Sequence, residues 1–160
     1  MDAAFEIDVV QNEVLATELL WHAVSECSKQ SDGLKGMSLH STFLILPIAM
    51  HLRSANALAK RTGKGASLRT VAENRDFSVG LQQRMEALSG RTLAALNLGF
   101  AARLLTFEQT RLQVFSSRQT PTARHVDGEI SVSMTAAKRL GQAVAELEFP
   151  QLITILGVRF

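Results

Sequence analysis

Residues 41–51 read STFLILPIAMH, an apolar run interrupted by one proline and followed at once by basic residues. From Phe43 to Met50 the run is eight residues long and His51 and Arg53 close it, whereas a membrane-crossing helix needs about 20 apolar residues. A protein core, and no membrane, is the expected setting. Pro47 has no backbone N–H to give to a ladder, so a central strand is disfavoured; a proline near a helix start is tolerated because the first-turn amides are unbonded anyway. The reading is a buried helix within residues 40–60, with Pro47 in its first turns or at a kink.

With 160 residues and 46% apolar content, the chain is the size of one domain with a real core. The spacing predicts a long helix over Val10–Ser28. Glu18, His22 and Glu26 form one narrow stripe, and Val10, Val14, Leu19, Leu20, Trp21, Ala23 and Val24 fill most of the remaining circumference. So wide an apolar surface suits a central helix, or one that also meets a partner. Ser31-Asp32-Gly33 marks a turn. Ser67 reads as the N-cap of a helix over Leu68–Asn74. A further helix starts near Ser78 with Leu81, Met85 and Leu88; Ser89-Gly90 is expected to interrupt it before a next helix over Arg91–Arg103.

The period then falls from 3.6 to 2. Leu105, Phe107, Leu112 and Val114 alternate with polar residues around Glu108-Gln109-Thr110, as in a small hairpin. Residues 116–130 read as a polar loop. Residues 131–160 carry two C-terminal helices, the first with Ala136, Ala137, Leu140, Ala143, Val144 and Leu147. The second is short and lies between Pro150 and Gly157. The expected class is mainly α with a small β-hairpin: one domain, winged-helix-like over about residues 40–115.

The net charge of +2 is unevenly spread: residues 1–32 hold seven acids and one Lys, a net of −6, so the rest carries +8. Arg53, Lys60, Arg61, Lys64, Arg69 and Arg75 stand against one acid, Glu73, in a segment able to meet phosphates or an acidic protein surface. Asp2, Glu6 and Asp8 occupy the place where a signal or transit peptide would be basic, so a cytoplasmic location is expected. Cys27, the one cysteine, sits among apolar helical neighbours and reads as a buried inert thiol.

Chemistry finds little to stand on. RTGKGAS lacks the phosphate-loop pattern, with Leu58 where a glycine is needed and Gly65 where Ser or Thr should follow the lysine. The four histidines have no metal spacing, the Glu18-His22-Glu26 stripe suits a solvated face, and the acids cluster without a convergent base or nucleophile. Neither an enzyme nor a metal or other cofactor is expected. A winged-helix DNA-binding regulator is the alternative, yet its recognition helix would be RTLAALNLGFAARL, where only Asn97 is a base-reading type in the middle. That surface is better suited to protein, which leaves phosphate contact to Arg53, Lys60, Arg61 and Lys64.

The order NEVLATELLWHAV, TFLILPIAMH, LLTFEQTRLQVF and ITILGVR resembles, over nearly the whole chain, the middle component of bacterial three-component ABC systems. Residues 43–51 and 153–159 are similar to that family's FLVLPLVLH and closing xLGVRP patterns; Phe160 stands where the family usually has Pro, and Asn12-Glu13-Val14 replaces an expected NPA. The resemblance implies a small non-catalytic coupling protein between an ABC-type ATPase and an effector component, in an anti-phage or anti-plasmid defence module. On that reading Arg53, Lys60, Arg61 and Lys64 are candidates for partner or phosphate contact, with non-specific nucleic-acid contact open. Ile155, Leu156 and Val158 are candidates for a structural or partner-docking tail.

Overall fold

A computed structural model describes residues 3–60, 75–117 and 128–160. The chain is mainly α with a small antiparallel sheet, and the predicted first helix is α1, Ala3–Lys29. Ala16, Leu19, Leu20, Ala23 and Val24 are fully buried. The wide apolar surface is that of a central helix, covered by α2 (Leu39–Ala49), α5 (Leu81–Ala101), α6 (Glu129–Glu146) and the third strand of the sheet. α6 crosses α1 closely at Gly141, which lies against the backbone of Ala23, so that a Cβ at 141 would run into the Ala23 carbonyl.

The expected helix of residues 40–60 is two helices. α2 is followed by α3, Leu52–Ala59, and the pair is bent by 100°. The bend falls after Pro47, at His51, whose extended backbone (φ −95°, ψ 106°) makes it the N-cap of α3. Pro47 therefore sits in the last turns of α2 and not in its first. Among the described residues no single helix is long and apolar enough to cross a membrane.

A four-residue turn of helix, α4 (Arg75–Ser78), precedes α5. Contrary to expectation, α5 runs unbroken through Ser89 and Gly90. A helical glycine costs only about 1 kcal/mol. Thr92 and Ser89 return their hydroxyls to the carbonyls of Leu88 and Glu86 (3.0 and 2.8 Å), and burial of Met85, Thr92, Ala95 and Leu96 on both sides of the pair outweighs that cost.

The hairpin forms as β2 (Leu105–Glu108) and β3 (Gln113–Ser116), with Phe107 opposite Val114. β1, Met37–Ser38, pairs with β3 and gives the order β1-β3-β2. Two residues are too few to show alternation, which hid this strand in the sequence. α6 begins at Glu129, and α7 (Phe149–Leu156) starts on a Glu148–Gln151 capping box with Pro150 in its first turn. It ends at Gly157 in the left-handed region (φ 66°), as Gly after a helix should. The expected helix over 68–74 and most of the polar loop, 118–127, lie outside the described residues.

Candidate functional site

The α2–α3 elbow positions Arg53 and Lys60, and polar side chains hold it. Where the helix breaks, the His51 N–H turns to the Ile48 carbonyl (3.3 Å). The Pro47 carbonyl is taken instead by Nε of Arg84 on α5, at 3.0 Å. The same guanidinium donates to the carbonyls of Val79 (2.8 Å) and Phe77 (3.3 Å) and to Oγ of the fully buried Ser54 (3.4 Å). Nδ1 of His51 lies 2.8 Å from Ser54 Oγ and accepts the Ser54 backbone N–H at 3.4 Å. Burial lowers the His51 pKa, and the nearby Arg84 and Arg53 charges lower it further. At the far end of α3, Nη1 of Arg139 on α6 caps the Leu58 carbonyl at 2.7 Å.

From this fixed helix Arg53 and Lys60 project into solvent. Seven residues apart, they share one side of α3 about 10 Å from each other. Arg61 and Lys64 lie outside the described residues.

In the tail, Leu156 and Val158 are buried in the core and Ile155 is half-buried against it. The side-chain amide of Gln82 on α5 clasps the backbone of Arg159, donating to its carbonyl (3.1 Å) and accepting its N–H (2.8 Å). Phe160 extends beyond this clasp, edge-on to Phe149 with ring centroids 5.0 Å apart and also beside His40 and Phe43. An open groove of about 410 Å³ runs between the tail and the turn before α5, lined by Val79, Gly80, Gln83 and Gly157.

The Glu18-His22-Glu26 stripe lies where α6 crosses α1. Glu26 accepts from Lys29 (2.7 Å) and Gln142 (3.2 Å), and the half-buried His22 stands edge-on to Trp21, its pKa lowered by burial and by Lys138. Burial pushes the Cys27 thiol up to about 11, where it is protonated and unreactive at neutral pH.

The outer face of α5 has the opposite character. Leu93, Leu98 and, on β2, Phe107 keep 52%, 38% and 40% of their surface in water. Leu93, Asn97 and Phe100 follow one another at spacings of four and three along the helix, and the Phe100 ring reaches Phe107 at 6.3 Å. At the hairpin tip, the backbone N–H groups of Arg111 (2.8 Å) and Thr110 (2.9 Å) hold the Glu108 carboxyl below the usual carboxylate range.

Sequence reasoning located Arg53, Lys60 and the α5 face but missed Arg84, whose role depends on carbonyls brought together by the fold. It also missed the cluster of His40, Phe43, Phe149 and Phe160, drawn from three separate stretches of chain. The model of one protein family, ABC-three component (ABC-3C) system Middle Component 3, matches residues 2–160. No curated protein and no solved structure matches the chain.

Proposed function

The chain belongs to the Middle Component 3 family of ABC-three component systems, and from that premise we propose that it is a non-catalytic adaptor, a single cytoplasmic domain that links an ABC ATPase to an effector component of an anti-phage or anti-plasmid defence system. The observation that carries this reading is how the side chains are used. Arg84 and His51 are committed to backbone carbonyls and a helix cap, and Cys27 is buried as a thiol. Large apolar side chains meanwhile face water on α5 and the hairpin. A component of a multi-protein system with such a surface acts by contact. Arg53 and Lys60, with Arg61 and Lys64 beyond them, supply a cationic contact for an acidic partner surface or a phosphate. Leu156 and Val158 serve the fold first, and Ile155 with the exposed Phe160 forms the part of the tail a partner can reach.

The test is coexpression with the other two components of the same system and purification on a tag carried by this chain. Stoichiometric recovery of at least one component is expected; elution of the tagged chain alone at low salt would refute the adaptor.

A second reading, a winged-helix DNA-binding regulator, is favoured by the strand order β1-β3-β2 and by the place of α5 just before the hairpin. It is opposed by the apolar face that α5 presents where base-reading side chains would be needed. If it holds, replacing Lys60, Arg61 and Lys64 by Ala weakens duplex binding and flattens its salt dependence. No duplex binding by the wild type at low salt ends it.

A further inference from the structure

We propose that the outer face of α5, extended by Phe107, docks one amphipathic helix of a partner protein whose apolar ridge is bordered by aspartate or glutamate side chains. This rests on the adaptor reading and assigns it a surface and a partner chemistry. Along one edge of the face run Leu93, Asn97 and Phe100, continued by the Phe107 ring. Leu98 stands along the other edge, and the positions between them are Gly90, Ala94 and Ala101, none larger than a methyl group. A ridge of Leu93 and Phe100 on one side, Leu98 on the other and a shallow trough of small residues between them are what a second helix packs into, and the small residues permit close approach of its axis.

Charge supplies the rest of the partner's description. Along the exposed side of α5 the charged residues are Glu86, whose carboxylate accepts from Gln82 (3.0 Å) one turn before Gly90, and Arg91, which shares the Leu98 side at a spacing of seven. Arg103 follows the helix end, exposed and with a left-handed backbone (φ 58°), and Arg111 is exposed at the hairpin turn. Among the described residues no ion pair or hydrogen bond engages these three guanidinium groups. Arg111 lies electrostatically near Glu108, whose oxygens are held by turn amides. Arg91 on the strip, Arg103 just past its end and Arg111 in the turn after the strand of Phe107 are cations that complement a helix with an apolar ridge and acidic flanks, and they repel a basic one. A nucleic acid would place its phosphates on the borders but would press base edges or sugars onto leucine and alanine, with Asn97 as the one polar reader.

The experiment uses the full chain coexpressed with the other two components of its system. Two variants are compared with the wild type: L93E/L98E, which breaks the ridges, and R91E/R103E/R111E, which reverses the border. Thermal melts and circular dichroism establish that both are folded, as expected for substitutions on an outer face. Each variant should lower partner recovery at least about tenfold, and a benzophenone amino acid at Ala94 should crosslink to a partner helix with acidic flanks. Assembly of both folded variants at the wild-type level overturns the docking inference and leaves the adaptor intact. Crosslinking to a segment without acidic residues also overturns it, and so does wild-type duplex binding at about 50 mM salt that the triple variant loses while assembly persists. A wild type that assembles with neither component overturns the adaptor reading itself.

Discussion

The α2–α3 elbow and the outer face of α5 invert the usual expectation of where function lies. At the elbow, an arginine, a histidine and a serine converge, the residue types from which active sites are built, and each is engaged in holding backbone. On the outer face of α5 and on β2 the large side chains are Leu93, Leu98 and Phe107, the residue types of a core, and they face water. The difference teaches that residue type is a weaker guide than satisfaction. A polar group whose donors and acceptors are all used has little left to offer a ligand, whereas an apolar group left in water still has a favourable contact to make.

The largest expected effect comes from removing the arginine that serves the elbow. Arg84→Ala leaves the Pro47 carbonyl without its side-chain donor, and the Phe77 carbonyl and Ser54 Oγ without the guanidinium they share, at the point where the chain turns by 100°. Orphaned buried acceptors are costly, so a loss of about 3 kcal/mol is expected, read as a melting temperature lower by about 6–12 °C. Arg84→Lys should recover only part of this, because one ammonium cannot reproduce the planar fork. If Arg84→Ala melts within a degree or two of the wild type, the elbow is held by apolar packing alone and the contrast with α5 collapses.

Ser54→Ala is the next step down. Its hydroxyl links His51 Nδ1 to the Arg84 guanidinium and approaches the Phe77 carbonyl at 3.4 Å, all at a fully buried position. A loss of about 1–2 kcal/mol is expected, and it should not add to that of Arg84→Ala because the two residues share partners. A double variant whose loss equals the sum of the singles would show that the elbow is a set of independent contacts.

How far the sequence reveals these two regions follows from the range of the forces that build them. The α5 face was legible because it depends on helical periodicity within one stretch, Leu93 to Phe100, and the hairpin because strict alternation around a polar turn is also local. The break at His51 was half legible: Pro47 announced a disturbance, but its position depended on a carbonyl that Arg84, 37 residues later, could satisfy. Gly90 misled in the reverse direction, since the local cost of a glycine is real and burial of Thr92 and Ala95 on α1 and its neighbours overrides it. Arg84, the two-residue β1 and the ring cluster around Phe160 were not legible, because each is defined by contacts between distant segments.

Acid should act on the elbow before it acts on α5. The His51 pKa is lowered in the folded chain, so the unfolded chain takes up the proton first as pH falls. The stability associated with neutral His51 is therefore fully present above its ordinary value near 6.5 and is lost as pH drops through the lower folded value. His51→Asn keeps a capping oxygen and removes this titration. Its melting temperature should fall less than that of the wild type between pH 7.5 and the acid side of this window. His22, shifted in the same direction, accounts for part of the slope that remains. Parallel slopes for variant and wild type would show that His51 titrates alike in both states.

The smallest expected effect on stability is on α5, and its smallness sharpens the comparison. Leu93 keeps 52% of its surface in water, so Leu93→Lys removes little burial and places a good helix former on an exposed turn. A change within about 0.5 kcal/mol is expected, with a melting curve that overlays the wild type. A neutral melt combined with lost assembly would separate what the fold needs from what a partner needs at a single residue. A melt lowered by more than about 2 kcal/mol would instead place Leu93 with the core, and the outer face of α5 would then belong to the same class of structure as the elbow.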